Sequence, residues 1–138
     1  MIVSQRKKQI GMPGDIVPVL QSILAAEHET DRDKEHFWVI GLNGANVIQY
    51  IELVSLGLIN RTLVHPREVF RFAISKAVCS IIVAHNHPSG DPTPSADDLA
   101  CTRQLVDAGQ VVGIRVLDHV IMTVEGHYFS MMEKGVLH

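Results

Sequence analysis

Apolar residues recur at helical spacing near the start of the chain. After the sequence Met12-Pro13-Gly14, they lie three or four residues apart, at Ile16, Val19, Leu20, Ile23 and Leu24. This spacing predicts an amphipathic helix over residues 15–28, with Asp15 as a candidate N-cap and Pro18 in the tolerant first turn. A polar run from Thr30 to Lys34 follows. We therefore expect residues 1–30 to form an arm and a helix before the main domain at 31–138.

Two apolar runs separated by Asn43-Gly44 predict a β-hairpin. The first run is Phe37–Leu42 and the second is Val47–Ser55. Asn-Gly favours the tight turns that join antiparallel strands. Gly and Asn within 57–60 end the second strand, and 61–64 is a candidate further strand.

The second half of the chain alternates between helical and extended patterns. His65-Pro66 opens a helix whose apolar face is assigned to Val69, Phe70, Ala73, Ile74 and Ala77. Ser80–Ala84 predicts a short strand that ends at two histidines. A loop with three prolines follows, and Ser95 is a good N-cap for a helix that runs to about Ala108. Strands are expected at 115–123 and 128–131. Such mixing predicts one α/β or α+β domain, a sheet covered by helices.

Composition is typical of a soluble globular protein. The chain has 138 residues, of which 46% are apolar and 20% charged, and no apolar run approaches the roughly 18 residues of a membrane span. The first eight residues are partly basic, but no apolar signal core follows them, so we expect a cytoplasmic protein. Cys79 and Cys101 lie in apolar or helix-like contexts and are interpreted as reduced thiols in or near the core.

The charge balance gives no support for a nucleic-acid partner, although it does not exclude one. The net charge is −3 with histidine neutral, whereas dedicated nucleic-acid binders usually show a basic excess. Arg6, Lys7 and Lys8 form only a small cluster, which we interpret as a solvated arm. The sequence leaves the oligomeric state open.

The residues that carry chemistry follow the strand at 80–84, in a His-x-His-x7-Ser-x2-Asp pattern formed by His85, His87, Ser95 and Asp98. Alternate residues of an extended segment point the same way, so the two imidazoles converge. The loop reverses the chain and the helix after Ser95 returns Asp98. Two imidazoles and a carboxylate suit Zn²⁺ better than Ca²⁺ or Mg²⁺, although iron and manganese also accept such ligands.

A metal-activated water needs a carboxylate base beside it but not on the metal. The candidates are Glu35, immediately before a buried strand, Glu52 within a strand, and Glu68 in the first turn of a helix. Glu68 is better interpreted as a surface carboxylate favoured by the helix dipole. The residues alone place Glu35 only slightly ahead of Glu52.

The segment from His85-Asn86-His87-Pro88 through Ser95 and Asp98 resembles the JAMM motif of the MPN-type metalloprotease-like fold. The longer run 85–95, the segment 63–70 and the segment 116–121 look like the RadC branch of that superfamily. The resemblance implies a JAB/MPN-like mixed sheet flanked by helices, with a cytidine-deaminase-like architecture. It implies an amide or isopeptide hydrolase that acts on a peptide-like substrate.

Site roles also follow from the resemblance. His85, His87 and Asp98 would be zinc ligands, Glu35 would match the glutamate that opens the first core strand and act as general acid and base, and Ser95 would help to hold the oxyanion. Two departures matter. Proteolytic members usually carry Ser where this chain has Asn86, which leaves the substrate in doubt. Full-length RadC proteins usually carry an N-terminal helix-hairpin-helix region. Only about 30 residues precede the domain here, so we expect any DNA binding by that region to be missing.

Several of these residues also have structural interpretations. Ser95 is an N-cap whatever else it does, Asp91 is expected to serve the turn with Gly90, and His65 to cap a helix or lie on the surface. Asp118-His119 could orient a metal ligand, but a structural strand pair is the favoured interpretation.

Rival functions differ in what they require. A zinc nucleobase deaminase needs His-x-Glu and Pro-Cys-x-x-Cys, and the sequence contains neither. A metal-dependent nuclease and a non-catalytic metal-stabilised module, in DNA repair or in another interaction, both fit the same ligand set. The name RadC implies DNA repair, which is a separate claim from hydrolase chemistry.

Overall fold

A six-stranded mixed sheet forms the centre of the computed structural model, which describes residues 1–4, 7–57 and 64–137. The sheet order is β1-β3-β2-β4-β5-β6, where β4 and β5 are parallel and the other neighbours are antiparallel. This confirms the predicted α/β domain with a mixed sheet and helices. In chain order the strands are β1 (Ile2–Ser4), β2 (His36–Leu42), β3 (Ile48–Leu56), β4 (Ser80–Asn86), β5 (Arg115–Met122) and β6 (Tyr128–Ser130).

Helices cover both faces of the sheet, because the central strands are apolar on both faces. A 3₁₀ turn at Pro13–Asp15 leads into α1, and α2 is a single short turn. Trp38, Ile40 and Leu42 pack with α1, whereas the alternating residues Phe37 and Val39 pack with α3 and α4. The helices are α1 (Ile16–Ala25), α2 (Glu29–Arg32), α3 (Pro66–Ser75) and α4 (Ala96–Val112).

Two helices differ from their predicted lengths. The helix predicted over 15–28 ends at Ala25, and α2 follows it after a short break. The helix predicted to end near Ala108 continues to Val112 and stops at Gly113, whose φ of 78° suits glycine. Gly109, just past the predicted end, lies inside the helix, where its missing side chain allows close packing.

Smaller differences arise where tertiary contacts decide the structure. Strand β4 extends past Ala84 to include His85 and Asn86. Ile74 is 56% exposed and Ala77 lies beyond α3 with φ 53°, so neither belongs to the buried face assigned to them. Strand β1 was not predicted, because its three residues gain their order from pairing with β3. The candidate strand at 61–64 falls almost wholly on residues 61–63, outside the described part.

Both cysteines are free thiols; Cys101 is buried, but Cys79 is exposed and so is not a core residue. Of the expected basic arm, Arg6 lies outside the described residues. Lys7 and Lys8 donate hydrogen bonds to the Gln49 side chain and the Asp15 carbonyl. Among the described helices, none has the length and apolar character of a bilayer span.

Candidate metal centre

The two histidines of the motif lie at the carboxyl end of β4, an inner strand, close to the start of α4. His85 pairs with Phe37 of β2 and Ile121 of β5, and only 1% of its surface is exposed. His87 follows the strand, and its N–H donates to the Met122 carbonyl at 2.9 Å. Their Nε2 atoms approach to 3.0 Å, so the predicted convergence of the two rings is present.

Asp98 is brought to the histidines by a capping box at the start of α4. The Ser95 hydroxyl accepts from the Asp98 N–H at 3.1 Å, and Asp98 Oδ2 accepts from the Ser95 N–H at 2.8 Å. Asp98 Oδ1 lies 3.4 Å from His85 Nε2, and Oδ2 lies 3.4 Å from His87 Nε2. The cap therefore fixes the carboxylate against both rings.

The spacing of these atoms fits a tetrahedral cation. Ligands at 2.0–2.1 Å from zinc stand about 3.3–3.4 Å apart along a tetrahedron's edge. The two Nε2 atoms are 3.0 Å apart, and each lies 3.4 Å from a different oxygen of Asp98; one ligand atom from each residue lies within 4.8 Å of the other two. His85, His87 and Asp98 thus form a group that could hold a metal ion.

Hydrogen bonds determine which nitrogen each histidine offers. His87 Nδ1 donates to the Asp91 carbonyl at 2.9 Å, which leaves Nε2 as a lone-pair ligand. His85 Nδ1 lies 2.8 Å from His119 Nε2. Both ligands therefore direct Nε2 at the same point, provided that His119 accepts the hydrogen bond.

His119 is set as an acceptor by Thr102 of α4. The Thr102 hydroxyl donates to the Asp98 carbonyl at 2.8 Å, so it accepts from His119 Nδ1 at 2.5 Å. His119 Nε2 is then free of a proton and accepts from His85. These hydrogen bonds run from Asp98 through Thr102 and His119 to His85, so they connect two of the candidate ligands. The sequence did not single out Thr102, and the alternative role of His119, to orient a ligand, has this contact with His85 in its support. The favoured interpretation, a structural strand pair, agrees with the position of both residues on β5. Asp118 fits that interpretation: it accepts from the His119 N–H and the Ser130 hydroxyl.

The electrostatics keep Asp98 ionised and His119 neutral. Burial opposes ionisation of Asp98, but hydrogen bonds from His85 and His87, made when their Nε2 atoms carry a proton, outweigh it and lower its pKa. The hydrogen bond to Asp98 raises the pKa of His87, against a smaller effect of burial, and the charge of Glu35 also raises it. Complete burial lowers the pKa of His119 well below its usual range.

Glu35 lies next to the site, at the entry to β2. It stands two residues before Phe37, the strand partner of His85, and its charge acts on His87. Its side chain is partly exposed, as a base in contact with water must be. The other two candidates lie elsewhere. Glu52 faces the Met1 amine and Arg71, and Glu68 is ion-paired with Arg71 at 3.5 Å.

The predicted structural roles at the loop and helix starts are present. Asp91 accepts from both the N–H and the hydroxyl of Thr93 in the turn after Gly90. His65 caps α3, where its Nδ1 accepts from the Arg67 N–H at 3.1 Å. Ser95 is exposed, and its hydroxyl proton is not used by the cap, so capping leaves it able to donate.

Comparisons with known proteins agree with this geometry. The family model of the RadC-like JAB domain matches residues 12–136. A UPF0758 protein of Caldanaerobacter subterraneus subsp. tengcongensis is 49% identical over 123 residues, which is 89% of this chain and 50% of that protein. A UPF0758 protein of Listeria welshimeri is 42% identical over 135 residues, covering 98% of this chain and 58% of the relative. The chain thus spans about half the length of the curated relatives it matches.

Proposed function

Because this chain belongs to the RadC-like JAB domain family, we propose that it is a zinc-dependent hydrolase of amide or isopeptide bonds. The observation that carries the proposal is the convergence of His85 Nε2, His87 Nε2 and the Asp98 carboxylate. Glu35 is near enough for its charge to act on His87. Three protein ligands are typical of catalytic zinc, whereas structural zinc usually has four.

The metal is proposed to be zinc on the chemistry of its ligands. Imidazole nitrogens are borderline donors that suit zinc, which also accepts a carboxylate, while Ca²⁺ and Mg²⁺ prefer oxygen ligands alone. A bound zinc ion would act as a Lewis acid on the substrate carbonyl and make water a better nucleophile at neutral pH.

The chain's own residues would handle the protons. Glu35 would take a proton from the attacking water and deliver it to the leaving amine, so that the amide C–N bond breaks without releasing an amide anion. The Ser95 hydroxyl, held by its cap, would donate to the oxygen that gains charge as the carbonyl becomes tetrahedral. His119 and Thr102 would keep His85 in the tautomer that leaves Nε2 free.

The test measures zinc content and hydrolysis of peptide and isopeptide substrates by the zinc-loaded protein. Glu35→Gln is expected to keep zinc and lose at least 100-fold in kcat, in line with the loss of a general base. His87→Ala is expected to lose both zinc and activity. Glu68→Gln, which removes a carboxylate away from the site, is the matched control and should leave both unchanged.

Two results would overturn parts of the proposal. Full activity in Glu35→Gln would show that Glu35 is not the base. A zinc-loaded protein that hydrolyses no amide but nicks supercoiled DNA, with the nicking lost in His85→Ala, would replace the amide hydrolase with a nuclease.

A further inference from the structure

Asn86, between the two candidate ligands, points to the opposite face of β4. Its side chain is buried, with 1% of the residue exposed, and both of its polar atoms are used. Oδ1 accepts from the His36 N–H at 2.6 Å, and Nδ2 donates to the Lys34 carbonyl at 3.1 Å. These two hydrogen bonds therefore join Asn86 to the backbone at the start of β2 and not to the metal-binding atoms.

The two peptide groups that Asn86 holds are the ones on either side of Glu35. On the other edge of the same segment, the Glu35 carbonyl accepts from the Gly57 N–H at 2.8 Å. The backbone at Glu35 is thus fixed by Asn86 on one side and by β3 on the other. A side-chain amide carries N–H donors and a carbonyl acceptor, as a peptide group does, so Asn86 extends the sheet ladder by one step.

A side chain is needed there because the backbone of β4 leaves β2 at this point. The last backbone pair between the two strands is Phe37 with His85. At the next ligand, the His87 N–H donates to Met122 of β5, on the opposite edge. Without Asn86, β3 would be the strand that still holds the Glu35 backbone, beside the local bonds from His36 Nδ1 to the Lys34 carbonyl and from the Lys34 N–H to the Asp31 carbonyl.

We infer that Asn86 is a positioning residue that fixes the backbone of Glu35 beside the metal site. The expected effect on catalysis rests on the proposed function. The two hydrogen bonds from Asn86 to the backbone on either side of Glu35, called the clamp below, can be measured separately. The clamp also gives Asn86 a role that does not involve the substrate. A serine hydroxyl is a single oxygen on a shorter side chain, so it could not occupy the two positions at which Asn86 Oδ1 and Nδ2 meet these peptide groups.

The kinetic test uses Asn86→Ala and Asn86→Asp in the zinc-loaded protein. Asn86→Ala should lower kcat about 10- to 100-fold, because small misplacements of a catalytic group cost rate, and should leave KM and zinc affinity within about threefold. Asn86→Asp keeps an acceptor for His36 but turns an oxygen against the Lys34 carbonyl, so it should also lose rate. In a Glu35→Gln background, Asn86→Ala should cause no further loss. An equal loss in both backgrounds, or a loss of zinc instead of rate, would overturn the inference.

Asn43→Ala is the matched control. Asn43 directly follows β2, at the end opposite Glu35, and its Oδ1 accepts from the N–H groups of Ala45 and Val47. Its removal also deletes two side-chain-to-backbone hydrogen bonds, at the hairpin rather than at Glu35. An equal loss of kcat in Asn43→Ala would mean that Asn86 acts only through general stability.

Amide hydrogen exchange separates this inference from the proposed hydrolase. The His36 amide should exchange at least 10-fold faster in Asn86→Ala than in the unchanged protein, and should stay protected in Asn43→Ala. If the zinc-loaded protein hydrolyses nothing, the proposed function fails while this result still supports the clamp. If His36 exchange is the same in Asn86→Ala, the clamp is refuted whatever the activity.

Discussion

At the residue scale, the site depends on hydrogen bonds that direct lone pairs. His85 and His87 could each present either nitrogen, and only their Nδ1 partners decide which one faces the metal. For His87 the partner is a backbone carbonyl, which can only accept. For His85 it is another imidazole, whose own proton is placed by Thr102. The tautomer of His85 therefore depends on Thr102, which acts through His119.

Thr102→Val tests this control, because it removes the hydroxyl while keeping the side chain's shape. His119 Nδ1 then loses its acceptor, so His119 can move its proton to Nε2 and force the proton of His85 onto the metal-facing nitrogen. We expect zinc affinity to fall about 10-fold, at the lower end for outer-shell partners. Zinc titration measures the affinity, and ¹⁵N NMR reports the tautomers of both rings. Thr102→Ser keeps the hydroxyl and should bind zinc normally; equal binding by the two variants would contradict the argument.

Glu52 gives a pH-dependent prediction away from the site. Burial raises its pKa, against the weaker lowering effects of the Met1 amine and Arg71, and it is 3% exposed. A carboxyl with a raised pKa in the folded state favours folding when protonated. Its contribution is therefore complete below the ordinary pKa of about 4.5 and is lost as pH rises through the raised value. Denaturant unfolding should show that the unchanged protein loses free energy of unfolding as pH rises through this range. Glu52→Gln, which cannot ionise, should not show that loss. A pH-independent difference between the two proteins would contradict the assignment.

At the scale of elements, α4 links the metal centre to the core. Its first turn supplies Asp98, its second supplies Thr102, and its buried face packs on the sheet through Cys101 and Leu105. Near its end, Gly109 lies so close to the next strand that an added Cβ would stand 2.5 Å from the Ile114 carbonyl and 3.3 Å from Phe70. Close approach at Gly109 therefore sets how α4 lies across the sheet.

Gly109→Ala should destabilise the fold although alanine is the better helix former. The propensity gain is about 1 kcal/mol, whereas overpacking against backbone costs typically 1–3 kcal/mol. Thermal or denaturant unfolding should therefore show a net loss of up to about 2 kcal/mol. Gln110→Ala changes the next, exposed residue and should stay within about 0.5 kcal/mol. A more stable Gly109→Ala protein would show that the helix can move away from Ile114.

At the scale of the whole molecule, the sequence predicted what is local and missed what depends on packing. His85, His87, Ser95 and Asp98 were found because one strand, one loop and one helix start bring them together within a short segment. For His119 the sequence offered the orienting role only as an alternative, since its contact with His85 depends on the pairing of β4 with β5. Thr102 was missed because its position depends on how α4 crosses the sheet. Strand β1 depends likewise on β3. Pattern gives the elements, whereas the supporting contacts of the site arise from their assembly.

Because the candidate ligands come from β4, from the residue after it and from the first turn of α4, an ion that binds them should stabilise the folded state. An ion that binds the folded state alone adds about 2.7 kcal/mol when its concentration is 100 times Kd. We expect zinc to raise Tm by several degrees and a chelator to reverse the change, as measured by calorimetry. His87→Ala should lose this response. His65→Ala, which alters a histidine that caps α3, should keep it. Equal stabilisation of both variants would mean that zinc binds elsewhere, and that the three converging side chains do not form the site.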